Sequence, residues 1–359
     1  VKYRLFIFVV IVSLCLMSLP TQGIQAAAGT PGSPQFGYGA HYYQQGNPAA
    51  LQTAAELQLS WINLNYSWQA ISPTPDAQAD LAQMDQVMAY LQERQISVLL
   101  SLTNPPAWAL TPQGPNPQIT ANLLAFLVKR YPGLQAVELF PGANTQSGWG
   151  AQPDPLAYTN LFLSVQNTLK TTAPHILLVA GGLKPGAEFL DTRNIAADVY
   201  LRGLYSANKA PFFNILSLQM DTISGDPFAP PENPFSLRNY EKIRQVMVDN
   251  QHTDGIIWIT HLVPPSGKIN SEDQRFIDQK GQDTWLTQAF TQLRSQLYIG
   301  VAFLDGLNSA PGSENTFSLV AGNKYHPFYT SFKALIYQNG ADTIKRGRPK
   351  SSILVKKRN

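Results

Sequence analysis

Asp221, His261, Asp305 and Glu138 are the side chains in this sequence whose types and places could handle protons. Asp305 closes one apolar run and Asp221 directly follows another, so both fall where a strand gives way to a loop. Two carboxyl groups whose surroundings push their pKa values apart can act as an acid and a base. Glu138 sits inside the run Ala136–Phe140, where an inward carboxyl hydrogen-bonded within the fold is the plainer reading. His261 reads as a neutral polar lining group or a general base. The five histidines show no paired ligand spacing, so no metal and no cofactor is expected. A second set, His41, Tyr42, Tyr43, Trp68, Trp108, Asn144, Trp149 and Gln219, combines flat aromatic faces with amide donors. Such faces suit a sugar ring, whose C–H groups stack while its hydroxyls are hydrogen-bonded. Trp68 and Trp108 read equally well as core. Trp149, within Gln146–Gly150, lies in a polar stretch and reads as the aromatic best placed to touch a ligand.

Positioning these groups requires a frame of alternating strands and helices. Strand cores fall at Phe36–Tyr43, Trp61–Trp68, Ser97–Thr103, Ala136–Phe140, Ile176–Leu183, Asn214–Met220, Gly255–His261 and Ile299–Asp305. Amphipathic segments separate them. In Ala79–Arg94 the residues Leu81, Met84, Val87, Met88 and Leu91 repeat at helical spacing. Ile119–Arg130, Pro155–Thr171, Ile195–Ser206, Ser236–Asn250 and Asp273–Leu297 behave alike. Strands alternating with helices imply a parallel sheet, and eight units imply a single α/β (β/α)8 TIM barrel. A doubly wound open sheet is the rival. No Gly-x-Gly-x-x-Gly follows the first strand and no phosphate loop occurs, so nucleotide binding has no support. Two proline-rich loops, Asn104–Gln118 and Asp221–Pro234, follow strand ends and read as groove walls or as ordinary decoration.

The order of these pieces resembles clan A of the retaining glycoside hydrolases. Trp61–Pro73 is similar to its second strand with the turn that follows, and Ser97–Leu102 with Pro105–Ala109 to its third. Ala136–Phe140 with Pro141-Gly142-Ala143 resembles the fourth strand and its Asn-Glu-Pro junction, and Asp154–Tyr158 with Leu177–Leu183 the helix and strand after it. Gly255–Thr260 resembles the seventh strand and Gly300–Asp305 the eighth. The resemblance implies that Gly142 stands at the acid/base position and His261 at the nucleophile position. It also places Asn63 where the clan has an arginine, Gln219 where it has a histidine, and Leu304 where it has a tryptophan floor. The clan's reaction needs two carboxyl groups about 5–5.5 Å apart. Glu138 lies four residues before position 142, roughly 13 Å down a strand at about 3.3 Å per residue. Asp305 and Asp221 are the candidates for relocated acids.

The expectation is therefore a barrel without catalytic residues that binds an oligo- or polysaccharide at its mouth. The expected contacts are His41, Tyr43, Asn63, Trp68, Trp108, Asn144, Trp149, Gln219 and His261. One alternative is an active hydrolase or transglycosidase with relocated carboxylates. Another is an envelope-associated interaction protein that uses the barrel as a platform.

Charge and composition bound the remainder. Lys2 and Arg4 precede an apolar run from Leu5 to Leu19 and then Ala26-Ala27-Ala28, the pattern of a secretory signal over residues 1–28. An uncleaved anchor is the rival. A Gly/Pro linker follows at 29–35, a barrel at 36–340 and a basic tail at 341–359. The lone Cys15 lies in the signal, so no disulfide is expected in the exported chain. Of the formal charge of +3, the signal carries +2 and the tail +6, which leaves the body at −5. That mildly acidic body offers no stripe for nucleic acid. The tail reads as a solvated end or as an attachment to an anionic envelope surface.

Overall fold

A computed structural model describes residues 36–43, 49–77, 79–208, 210–221, 225–265, 278–309, 317–322 and 324–345. The expected signal, linker and most of the basic tail lie outside these residues. So do 222–224 of the second proline-rich loop and 273–277 of the last expected amphipathic segment.

Eight parallel strands close into a barrel. They are β1 (Gly37–Tyr42), β2 (Trp61–Ser67), β3 (Ser97–Thr103), β4 (Leu134–Leu139), β5 (Leu177–Leu183), β6 (Ile215–Met220), β7 (Ile256–Leu262) and β8 (Ile299–Leu304). Each pairs with its neighbours in sequence, and β1 pairs with β8 to complete the ring. The fold is a single (β/α)8 TIM barrel, so the open-sheet rival is overturned by the β1–β8 pairing. All eight expected strands are present with ends shifted by no more than two residues.

The helices are α1 (Ala49–Glu56), α2 (Ala82–Glu93), α3 (Pro117–Arg130), α4 (Pro155–Thr172), α5 (Ala197–Ala207), α6 (Asn239–Asp249), α7 (Gln279–Arg294) and α8 (Phe328–Lys345). Their starts follow capping chemistry. Asn116 accepts from the Gln118 and Ile119 amides, Asp154 from Leu156 and Ala157, and Asp278 from Gly281. Pro117 and Pro155 occupy first-turn positions, where a missing N–H costs nothing. Met84, Val87, Met88 and Leu91 of α2 are all buried, as their spacing requires. The expectations did not single out α1 or α8. The last helix runs to Lys345 and so takes in the first five residues of the expected tail. Phe328 and Phe332 of α8 pack on Phe290 of α7, with ring centroids 6.0 and 5.0 Å away. Among the described residues no helix is long and apolar enough to cross a membrane.

Side chains that point into the barrel form layers, because every second residue of a strand faces inward. The lowest layer is apolar and includes Trp61, Leu99, Val179, Ile215, Trp258 and Phe303. Above it lies a polar layer of Asn63, Ser101, Glu138, Ser217 and Thr260, all buried. The next inward positions form the mouth.

Candidate site at the barrel mouth

One extra residue in β7 shapes the site. Opposite β6 the register steps from Leu218↔Ile259 to Gln219↔His261, and opposite β8 from Ala302↔Ile259 to Leu304↔Leu262. Such a bulge lets consecutive residues share one face. Thr260 accordingly reaches down to Glu138, while its neighbour His261 turns to Asp305.

In the polar layer the hydrogen bonds form a closed ring. Thr260 Oγ1 donates to Glu138 Oε1 at 2.7 Å, and Asn63 Nδ2 donates to the Thr260 carbonyl at 3.3 Å. Ser101 Oγ stands 2.9 Å from Asn63 Oδ1 and 2.5 Å from Glu138 Oε2. A serine hydroxyl has a single proton to give. If Ser101 gives it to Asn63, the short contact to Glu138 requires a proton on the carboxyl. Burial acts in the same direction and raises the Glu138 pKa, against the hydrogen bonds from Ser101, Thr260 and Ser217. Glu138 is thus a sealed, structural acid whose burial favours the protonated form. Asn63 belongs to this ring at 2 % exposure, which corrects its expected place among ligand contacts.

The mouth carries the ionic chemistry. His261 Nε2 lies 3.0 Å from Asp305 Oδ1, Tyr43 donates its phenolic proton to the same oxygen at 2.7 Å, and His41 Nδ1 stands 3.9 Å from it. The His41 and Tyr43 rings stack with centroids 4.4 Å apart. Burial tends to raise the Asp305 pKa, but the charge and hydrogen bond of His261 outweigh it and hold the carboxyl at about 2. Burial would lower His261, yet Asp305 raises it above the ordinary histidine value. His41 is pushed down to about 4 by burial, only partly offset by Asp305. Nearby, Lys184 Nζ donates to Asp221 Oδ2 at 2.6 Å. Lys184 escaped the sequence reading, although its place right after β5 is where a barrel keeps functional side chains. Asn65, Thr103, Gln219 and His261 are half-buried along the same rim.

The other expected contacts are structural. Trp149 is fully buried and donates through Nε1 to the Gln113 carbonyl at 2.8 Å, which corrects the expectation that its polar surroundings would leave it open. Its neighbours in sequence are polar, but the hairpin formed by Leu110–Thr111 and Gly114–Pro115 folds over it. Asn144 is buried, gives its amide protons to the Lys184 and Ile195 carbonyls and accepts from the Lys184 amide. Trp68 is buried edge-to-face against Trp108, whose Nε1 donates to the Ser72 carbonyl. Tyr42 is likewise core. A separate cavity of about 110 Å³ beside Pro185, Phe189 and Lys242 contains none of the mouth residues.

Gly142 is held in backbone. Its amide donates to the Gly182 carbonyl at 2.7 Å, and Ala143 donates to Gly181. With φ at +86°, a Cβ at Gly142 would sit 3.1 Å from Thr145 Oγ1 and 3.4 Å from Gly148 Cα.

No protein-family profile matches the sequence, and no curated protein does. Solved structures do match. A family 39 glycoside hydrolase from the gut symbiont Bacteroides cellulosilyticus WH2 superposes with a TM-score of 0.63 at 17% identity, covering 88% of this chain and 65% of that one. The GH39 enzyme from Xanthomonas axonopodis pv. citri gives 0.61 at 15% identity, with 86% and 68% covered. An intracellular xylanase from Thermoanaerobacterium saccharolyticum JW/SL-YS485 gives 0.58 at 14%, with 83% and 95% covered. The barrel has the fold of a glycoside hydrolase. At these identities the likeness is one of fold, and the chain spans about two-thirds of the length of the family 39 enzymes.

Proposed function

We propose that this glycosidase-like barrel binds an oligo- or polysaccharide at its C-terminal mouth without cleaving it. The observation that carries this reading is the state of the carboxyl groups. A retaining glycosidase needs one carboxylate free to attack and one protonated carboxyl in reach of the leaving oxygen. Here Asp305 is tied to His261 and Tyr43, Asp221 to Lys184, and Glu138 is sealed beneath Asn63 and Ser101. The Gly142 backbone, pinned to Gly182 with φ at +86°, is strained for any side chain and crowds a Cβ against Thr145, which disfavours an acid at the position the resemblance assigns to one. What remains on the rim is an amide-, hydroxyl- and imidazole-rich surface with one stacked ring pair, His41 and Tyr43. Such a surface hydrogen-bonds sugar hydroxyls and stacks on their C–H faces.

A glycan array with the full chain, followed by titration of the best hit, tests the reading. Binding that weakens in Tyr43→Ala and Gln219→Ala, with no release of aglycone from a panel of aryl glycosides, supports it. The alternative is a hydrolase with Asp305 and Asp221 as relocated acids, favoured by an ionised Asp305 at the mouth. Turnover that disappears in Asp305→Asn or Asp221→Asn would establish that alternative instead. Export and envelope attachment complete the proposal and rest on the apolar amino terminus and the basic carboxyl terminus. Cell fractionation with and without residues 346–359 checks them, with release on truncation as the expected result.

A further inference from the structure

We propose that His41, His261 and Asp305 form a site for one divalent transition-metal ion of the zinc class at the barrel mouth. Each residue offers one ligand atom, and the three atoms lie within 4.8 Å of one another. They come from β1, β7 and the end of β8, which the barrel closure brings side by side. The two imidazoles are borderline donors and the carboxylate a hard one, and it is the imidazole majority that favours zinc, cobalt or nickel over magnesium or calcium. Zinc–ligand bonds of about 2.0–2.1 Å place tetrahedral ligands about 3.3 Å apart, so binding requires this triangle to draw in from its present 4.8 Å limit. An ion with three protein ligands keeps a fourth position open for water or a ligand oxygen.

A second observation points the same way independently. His41 is 7 % exposed, and neither of its ring nitrogens has a hydrogen-bond partner, nor has Nδ1 of His261. Buried polar atoms of native proteins are normally satisfied. An ion held by His41 and the Asp305 carboxylate would account for the inner of the two orphaned His41 nitrogens. The outer nitrogens also lack the carbonyl or carboxylate that usually orients a ligating histidine, and such partners typically contribute 10–100-fold in affinity. The site is therefore expected to bind about 10–100-fold more weakly than one with oriented histidines. This inference stands on the cluster itself and holds whether or not the mouth takes a sugar.

The test uses the tag-free full chain, stripped with a chelator and titrated with zinc in a calorimeter and with cobalt in a spectrophotometer. One equivalent of zinc and the intense visible bands of low-symmetry cobalt are expected. His41→Gln and His261→Gln should weaken zinc by at least about tenfold, while His175→Ala, an exposed histidine on the outside, should change nothing. Far-UV circular dichroism confirms folding of each variant. Should His41→Gln not fold, Asp305→Asn provides the same reading, with zinc again weakened and the cobalt bands lost. The proposal is overturned if the stripped wild type takes up no zinc, if uptake survives unchanged in folded His41→Gln and His261→Gln, or if it is His175→Ala that abolishes it.

Discussion

Ser101 Oγ and Glu138 Oε2 face each other across adjacent strands at 2.5 Å, inside a ring that Asn63 and Thr260 close. The ring is continuous only with a proton on Glu138. Its raised pKa means that the folded state keeps this proton after the unfolded chain has lost it. The contribution is full below the unfolded carboxyl pKa and declines as pH rises towards the folded one. Glu138→Gln supplies the same donor and acceptor without the ionisation. It is expected to match the wild type in acid and to equal or exceed its thermal stability at neutral pH. Glu138→Ala, which opens a hole and strands two hydroxyls, should cost about 3 kcal/mol. Thermal unfolding of both variants at two pH values checks this.

The two histidines of the mouth should titrate in opposite senses. His41, lowered to about 4 by burial, stays neutral through mildly acidic pH, and His261, raised by Asp305, keeps its proton above the ordinary histidine range. For stability the signs also oppose. His41 makes the fold less stable as pH falls from about 6.5 towards 4, whereas the His261 contribution is complete below about 6.5 and fades as pH climbs through its raised value. In Asp305→Asn the main charge partner is gone, and burial, the largest influence on the ring, is opposed only by the weaker pull of Asp221, so the His261 pKa should drop below 6.5. Imidazole nitrogen shifts in NMR spectra of metal-free protein report each ring.

Trp149 anchors the wall of the third loop from inside. Trp149→Ala should cost about 3–5 kcal/mol by thermal or denaturant unfolding. Trp149→Phe should lower the melting temperature by less and leave affinity for any glycan hit unchanged, because the indole faces the core. A folded Trp149→Phe protein that loses the glycan would place the ring in the site.

Backbone packing at the fourth and fifth strand ends is equally testable. A Cβ at Gly182, where φ is +52°, would lie 2.4 Å from Pro141 Cα. Gly182→Ala is expected to cost about 2–4 kcal/mol, combining positive-φ strain with a backbone collision. Gly322 shares a positive φ of +60° but has nothing within 4 Å of its would-be Cβ, so Gly322→Ala should cost only about 1 kcal/mol. The difference between the two melting temperatures isolates the collision.

The sequence alone determined the barrel. Apolar runs alternating with helical stripes specify a parallel sheet, since period and burial are local properties of the chain, and all eight strands lie where those runs fall. The same reading placed Glu138 inside as a structural acid and named His41, Tyr43, His261 and Asp305 among the residues of interest. It did not foresee that all four converge, because closure of β1 on β8 is a long-range event that strand spacing cannot express. Nor could it see the extra residue in β7, since strict alternation allots Thr260 and His261 to opposite faces and only pairing with both neighbours reveals that they share one. Trp149 is the complementary case. Its polar neighbours suggested solvent, but a hairpin more than thirty residues earlier in the chain covers it, and what covers a side chain is decided by tertiary packing alone.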